Sequence, residues 1–404
     1  MVNDYQRKLK GNIWKYFVVT LTQRRNFLPI LAIYFLTFPD STVKQIGIYT
    51  GLGYLASFLL EIPTGYFSDK FGQKNTLIIA KFSMLLSTLC FLIGNSLIWF
   101  IFGSILISTG FAFDSGTKQV FMHNTLKGLR KGKKYVKTMG KISANVSLIS
   151  VALIIIFPFF TSINILLPIL ICLILDVIGL FVVISLVEPN QKLFSEKVNF
   201  KTLKELIKKS RKSSFYIVAL YTGLICGFVT GSGTFKELYA ISQGLPIIFA
   251  GFAMGLSRLI WFFIGHNAHK ILEKITFKQL MKLEMIIFPA FLILLMLASN
   301  PYLIIILYAL MSGYYMGRSQ VEEYYFLHTY TFSKQYKATT MSIQSQVGSL
   351  IQFIVVFGIG FVMNINYKLG NLILGITLFA LLAITYHIWN RYENKTPLET
   401  EYKK

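Results

Sequence analysis

The stretch Leu60-Glu61-Ile62-Pro63-Thr64-Gly65-Tyr66-Phe67-Ser68-Asp69-Lys70-Phe71-Gly72-Gln73-Lys74 closes a long apolar run. Gly65, Asp69, Gly72 and Lys74 punctuate it. A helix leaving hydrocarbon at this point sets Asp69 at its end, turns tightly at Gly72 and puts basic side chains into water. A carboxylate so placed accepts charge-assisted hydrogen bonds from nearby backbone or basic groups. Glycine lets neighbouring helices approach closely. The pattern predicts a membrane helix ending at the cytoplasmic face.

Composition points the same way. Of 404 residues, 54% are hydrophobic and only 14% charged, and the mean hydropathy is +0.59. A soluble domain of this length carries more charge. Runs of about 20 apolar residues cross about 30 Å of hydrocarbon. Twelve spans are expected, near 13–38, 44–69, 75–94, 97–122, 137–160, 163–187, 213–236, 245–267, 276–298, 301–326, 336–363 and 367–390. They divide the chain into a six-helix bundle at 1–187, a linker at 188–212 and a second six-helix bundle at 213–404 with a short tail.

Basic residues set the orientation. Lys118, Lys127, Arg130, Lys131, Lys133, Lys134, Lys137 and Lys141 share one loop with no acid. Lys192, Lys197, Lys201, Lys204, Lys208, Lys209, Arg211 and Lys212 crowd the linker, where period-four lysines suggest a short amphipathic helix. The opposite side offers Lys44, Lys236 and Lys368. The positive-inside rule then puts both termini and the linker in the cytoplasm, in a multi-pass cell-membrane protein. Because the net charge of +23 is segregated to one side, it reads as contact with anionic lipid headgroups, and not as nucleic-acid binding. The first span lacks a small-residue cleavage site and reads as uncleaved. Cys90, Cys172 and Cys226 fall inside spans without metal spacing and read as packing residues. His266 and His269, three apart at a helix end, lack a third ligand nearby, so a polar cluster is preferred to a metal site.

At Gly65, Asp69, Gly72 and Lys74 the opening stretch resembles the loop between spans 2 and 3 of the major facilitator superfamily. That signature reads roughly G-x-L-a-D-r-x-G-r-k. Lys70 stands for Arg, Phe67 and Ser68 depart mildly, and Gln73 lacks the charge. A shift of 200 residues lays Gly51 on Gly251, Ser57 on Ser257 and Gly65 on Gly265, with His269 in place of Asp69. That fits the family's parallel repeat with a site near the midplane between halves. The resemblance implies an all-α membrane protein that moves a small molecule by rocking of two halves, as a monomer. It assigns Gly65, Asp69, Lys70, Gly72 and Lys74 to a cytoplasmic gate. It also puts spans 1, 4, 7 and 10 around the cavity.

Polar residues inside the spans are the candidate machinery. Each ionisable group costs roughly 2.5–3.5 kcal/mol in hydrocarbon and needs a partner or a wet cavity. Span 1 carries Gln23-Arg24-Arg25-Asn26, with Arg24 about 17 Å from Ile13 along a helix. Neighbouring residues point about 100° apart on a 3.6-residue turn, so the two readings are one arginine toward the cavity with the other on a carboxylate of a nearby helix, or a later start of span 1 that leaves the pair at the interface. Span 4 carries Asp114 and Lys118, span 10 Arg318 and Glu322, each pair at i,i+4. The span 4 segment Gly110–Lys118 is similar to a small-residue segment of some bacterial facilitators. Asp176 lies mid-span 6 without an assigned partner.

Arg24, Asn26, Asp114, Arg258, Tyr314 and Arg318 are the expected cavity residues. Asp114, Glu61 and Glu322 are the expected proton carriers, because a partly dry carboxylate disfavours its charged form. Tyrosines beside charges suit an amphipathic substrate. Nothing in the chain spells a nucleophile elbow, a P-loop, a metal cluster or an ATPase domain, so no enzyme and no cofactor are expected beyond an ion gradient, here protons. Outward movement of an amphipathic compound is the favoured direction. Span 5 nevertheless lacks the Gly-Pro-rich exporter segment, and Leu106 stands where exporters carry Arg. Import or exchange of a small anionic metabolite is the alternative reading, on Arg24, Arg258 and Arg318. Lipid movement and a non-transporting sensor or enzyme follow behind.

Overall fold

The computed structural model describes residues 2–189, 214–266, 274–329 and 337–395. The linker lysines and His269 lie outside the described residues, as do the side chains of Gly65 and Asp69. The helices are α1 (Val2–Thr22), α2 (Leu28–Phe35), α3 (Val43–Phe71), α4 (Gln73–Ile93), α5 (Leu97–Asp114), α6 (Thr117–Gly128), α7 (Tyr135–Ile156) and α8 (Leu167–Ile184). They continue as α9 (Phe215–Gly233), α10 (Lys236–Ser242), α11 (Phe252–His266), α12 (Phe277–Leu297), α13 (Pro301–Thr329), α14 (Lys337–Met363) and α15 (Tyr367–Lys395).

Among the described residues, 9 stretches are long and apolar enough to cross a membrane. Three further stretches are diluted by polar residues: the interrupted α1–α2, and α3 and α13, each 29 residues long with glycine, tyrosine and charge. Twelve crossings are compatible with this arrangement.

Two expected spans are not continuous. Expected span 1 is a helix from Val2 that stops at Thr22 and restarts at Leu28. Pro29 in the first turn of α2 explains the restart. Its ring has no N–H to give and, in an unbroken helix, collides with the carbonyl of Arg25. Expected span 4 breaks at Ser115-Gly116. The Thr117 N–H bonds the Ser115 carbonyl at 2.8 Å, a γ-turn centred on Gly116. Gly116 has φ +71°, where a side chain is strained. Gly72, between α3 and α4, has φ 91° and ψ 151°, a region open almost only to glycine. The signature glycine is therefore a backbone requirement.

By Cα proximity the chain forms two compact units: Met1–Ser41, Leu52–Lys197 and Ile247–Gly251 in one, and Thr42–Gly51, Val198–Pro246 and Phe252–Lys404 in the other. In the first, α4 packs on α5 and α8, and α1 on α8. Glycine sets the α4–α5 spacing, since a Cβ at Gly103 would strike the Phe91 ring and one at Gly110 the Met84 side chain. Phe27, Phe35, Phe91 and Phe100 are fully buried and meet edge-to-face or tilted. In the second, α9 packs on α14, α11 on α13 and α12 on α15. Gly313 and Gly317, four apart on α13, press against Ile260 and Ile264 of α11. This is the small-residue packing that holds helices together when lipid offers no hydrophobic gain.

Candidate functional site

In the first unit the two helix breaks lie beside one polar centre. Gln23 follows the end of α1, Asp114 ends α5 and Lys118 opens α6. Asp114 Oδ1 accepts a hydrogen bond from Gln23 Nε2 at 3.0 Å. Its Oδ2 accepts one from Lys118 Nζ at 2.6 Å. Lys118 Nζ also donates to Gln23 Oε1 at 2.8 Å, closing a ring of three side chains. The carboxylate and ammonium keep 12% and 15% of their side-chain surface. Arg24 is half-buried in the same break and is drawn by the Asp114 charge. Asn26 is 1% exposed. Among the described residues, neither of its side-chain polar atoms has a hydrogen-bond partner, and the same holds for Arg24 Nε. Interrupted helices leave backbone polar groups without their helical partners, which in a membrane protein is tolerated only where protein or water covers them.

Arg25 turns the other way. Its Nη1 meets Asp176 Oδ2 at 2.7 Å, and Lys81 Nζ meets Asp176 Oδ1 at 2.7 Å. Thr88 Oγ1 donates to Asp176 Oδ2 at 2.6 Å, and Lys81 donates to the Thr22 carbonyl at 2.7 Å. Lys81 and Asp176 have no exposed surface. Gly179, one turn beyond Asp176, makes the room, because a Cβ there would collide with the Lys81 side chain and Thr22 Oγ1. The two adjacent arginines thus serve different purposes, and Asp176 has its partners. Lys81 is a core residue that the sequence reading passed over, although one lysine inside the apolar run Leu77–Leu86 is a visible signal.

In the second unit Arg318 is 2% exposed and meets Glu322 Oε2 at 2.6 Å and Glu284 Oε1 at 3.4 Å. Its guanidinium lies over the rings of Phe288 and Tyr315. Glu322 Oε1 accepts from Gln344 Nε2 at 2.8 Å, and Gln344 reaches Thr222 of α9 at 3.2 Å. The expected pair at i,i+4 is present, and Glu284 of α12 is a member that sequence reading missed. Tyr314 stacks near Phe288 and borders an apolar groove of about 380 Å³ with Ile260, Ile264, Ile287 and Phe291. Arg258 is half-buried on α11 and Glu61 half-buried on α3. Among the described residues Glu61 forms no ion pair. No three His, Cys, Asp or Glu side chains converge there either.

The signature loop is tied down from the far end of α8. Glu188 accepts the backbone N–H of Gln73 at 3.0 Å and of Lys74 at 2.8 Å, filling the N-terminus of α4 with negative charge. Asn12 of α1 holds the neighbouring Val187 through both its side-chain atoms, at 2.8 and 3.0 Å. Lys70 is exposed, its ammonium over the Phe71 ring. The signal for Glu188 was the Glu-Pro pair ending the last span of the first half. Glu188→Gln keeps one acceptor oxygen and removes the charge. It is expected to lower stability by about 1–2 kcal/mol, read as a lower melting temperature in detergent. An unchanged melt would mean that the loop is held by other contacts.

Known proteins share this fold. A family model described as Major Facilitator Superfamily matches residues 16–356. A stretch of 98 residues is 29% identical to an uncharacterized transporter of Buchnera aphidicola subsp. Baizongia pistaciae (strain Bp), covering 24% of this chain and 23% of that relative. Among solved structures, a mutant form of the nucleoside transporter NupG superposes with a TM-score of 0.78 at 11% identity, over 95% of this chain and 99% of that one. An inward-facing, unoccupied bacterial homologue of the human lysosomal transporter Spinster gives 0.69 at 15% identity, over 97% and 98%. A D-xylose-proton symporter gives 0.65 at 12%, over 92% and 97%. At these identities the structures speak for the fold alone.

Proposed function

The chain belongs to the major facilitator superfamily, and on that premise we propose that it exchanges protons for an amphipathic small molecule, moved outward, with Asp114 as the group both compete for. It is a multi-pass membrane transporter of a small molecule, and not an enzyme. The finer reading rests on one observation, the ring of Gln23, Asp114 and Lys118 at two broken helices.

A single reachable carboxylate accepts a proton or a hydrogen-bond donor of the solute, and the two exclude each other. Lys118 and Gln23 hold it when neither is bound. Competition for one group makes the two fluxes opposite, so an inward proton gradient drives the solute out. Phe113, beside Asp114, and Phe67 meet edge-to-face at 5.4 Å and offer an apolar surface to the rest of such a molecule. In this reading the termini are cytoplasmic, Gly65, Asp69, Lys70, Gly72 and Lys74 work at the cytoplasmic gate, and the carrier is a monomer.

The test uses proteoliposomes with an acidic lumen, following lumenal pH and a panel of fluorescent amphipathic cations together. Accumulation of a dye with matching alkalinisation of the lumen supports exchange. A second reading, import or exchange of a small anion, is favoured by Arg24 Nε and the Asn26 amide, which have no hydrogen-bond partner among the described residues. Proton movement with carboxylates or phosphates, and none with any dye, would put that reading first.

A further inference from the structure

One buried cluster of the second unit holds, among the described residues, an odd number of charges. Glu284, Arg318 and Glu322 are 2%, 2% and 9% exposed. Two carboxylates therefore share one guanidinium inside a helical bundle that crosses the membrane. Left ionised, the cluster carries one uncompensated negative charge in a medium that penalises it. One proton makes it neutral.

The two carboxylates are not equivalent. Glu322 is served at both oxygens, by Arg318 Nη1 at 2.6 Å and by Gln344 Nε2 at 2.8 Å. Adding a proton to Glu322 would break one of these bonds. Glu284 has the longer approach to Arg318 Nε, at 3.4 Å, and among the described residues its Oε1 has no hydrogen-bond partner. It is the carboxylate with least to lose on taking a proton.

Among the described residues, the charges acting on Glu284 come from α13 alone, namely Arg318 and Glu322. Phenols border it from α9 and α13, at Tyr221 and Tyr314. The Tyr221 hydroxyl is already committed to the Met281 carbonyl, at 2.6 Å.

We infer that Glu284 is a proton-binding site in the C-terminal half, separate from Asp114. This deepens the proton-exchange reading and rests on it for its role in transport. With the proton on, Glu284 is neutral and Arg318 belongs to Glu322, and through Gln344 to α14 and α9. With the proton off, the carboxylate of α12 competes for the same guanidinium. The proton, released to water as Glu–COOH becomes Glu–COO⁻, thereby changes which helices Arg318 joins.

The site is testable without knowing the substrate. Infrared spectra of the purified full-length protein are recorded across a pH titration for wild type, Glu284→Gln, Glu284→Asp, Glu322→Gln and Asp114→Asn. A protonated buried carboxyl gives its own C=O stretch. The expected result is a pH-dependent band that is lost in Glu284→Gln, displaced in Glu284→Asp and kept in Glu322→Gln and Asp114→Asn. If the glutamine variant does not fold, the displacement in the aspartate variant decides. A band that survives unchanged in Glu284→Gln, that stays in place in Glu284→Asp, or that vanishes in Glu322→Gln instead overturns the assignment. Wild-type vesicles that move no protons with any dye or anion, while the band still belongs to Glu284, would overturn the exchange reading and leave the proton site standing.

Discussion

Asp114→Asn is expected to weaken binding of a cationic amphipathic solute by about 10- to 100-fold and to remove the pH dependence of its exchange. The estimate follows from what the substitution deletes. A hydrogen bond to a charged group contributes about 1.5–3 kcal/mol, and each 1.4 kcal/mol is tenfold. Asn keeps the shape and the oxygen that Gln23 bonds, at 3.0 Å in the native ring, so the broken helices stay in register. It loses the charge that holds Lys118 and the capacity to take a proton. Lys118 retains 15% of its side-chain surface and is solvated in the variant, so protein stability should fall by no more than about 1 kcal/mol. Equilibrium dye exchange in proteoliposomes at a series of pH values separates these effects. A wild-type pH profile with only the affinity reduced would demote Asp114 to a solute contact. An unchanged affinity and profile would remove it from the mechanism altogether. Lys118→Met provides the opposite control, since it frees the carboxylate and should tighten cation binding.

Much of this architecture was legible from residue patterns, and the parts that were not share a cause. The loop at Gly65, Asp69, Gly72 and Lys74 named the family because its glycine and charge positions answer backbone and interfacial demands that leave few alternatives, as the φ of Gly72 illustrates. The local pairs Asp114–Lys118 and Arg318–Glu322 followed from helical spacing. The helix breaks were readable in principle from Pro29 and Gly116, yet hydropathy averaged over a span does not register interruptions of five and two residues. The remaining partners are distant in sequence: Asp176 lies 151 residues from Arg25 and 95 from Lys81. Spacing along one helix carries no information about them. Lys81 was nonetheless visible as a single charge in an apolar run, and the cost of burying it was the signal that it had a partner, whereas Glu284 sits two residues from Lys282 and reads as part of a charged helix end.

Asp176→Asn is expected to destabilise the first unit by about 3–5 kcal/mol, the cost of stripping a buried ion pair of one member. The loss falls on two cations at once. Arg25 and Lys81 are 2% and 0% exposed at their side chains and both rest on the one carboxylate. Among the described residues, Lys81 would keep the Thr22 carbonyl and Arg25 would keep Thr88, and the amide's single uncharged oxygen could serve only one of the two cations. Gly179 leaves the Lys81 side chain no surplus room in which to find another acceptor. The protein should extract poorly from membranes and melt at a much lower temperature in detergent. Removing all three charges together, as Arg25→Met, Lys81→Met and Asp176→Leu, should recover most of that loss, because an apolar set needs no partners. A triple variant no more stable than Asp176→Asn would show that shape, and not charge, dominates here. The cluster also bears on transport. Arg25 is anchored to Asp176, while its neighbour Arg24, in the same non-helical stretch between α1 and α2, faces the Asp114 charge instead. If the anchor sets that direction, the triple variant folds yet binds its solute more weakly than wild type, and Arg24→Ala added to it costs little more. Full solute affinity in the triple variant would mean that Pro29 and the broken backbone orient Arg24 without help.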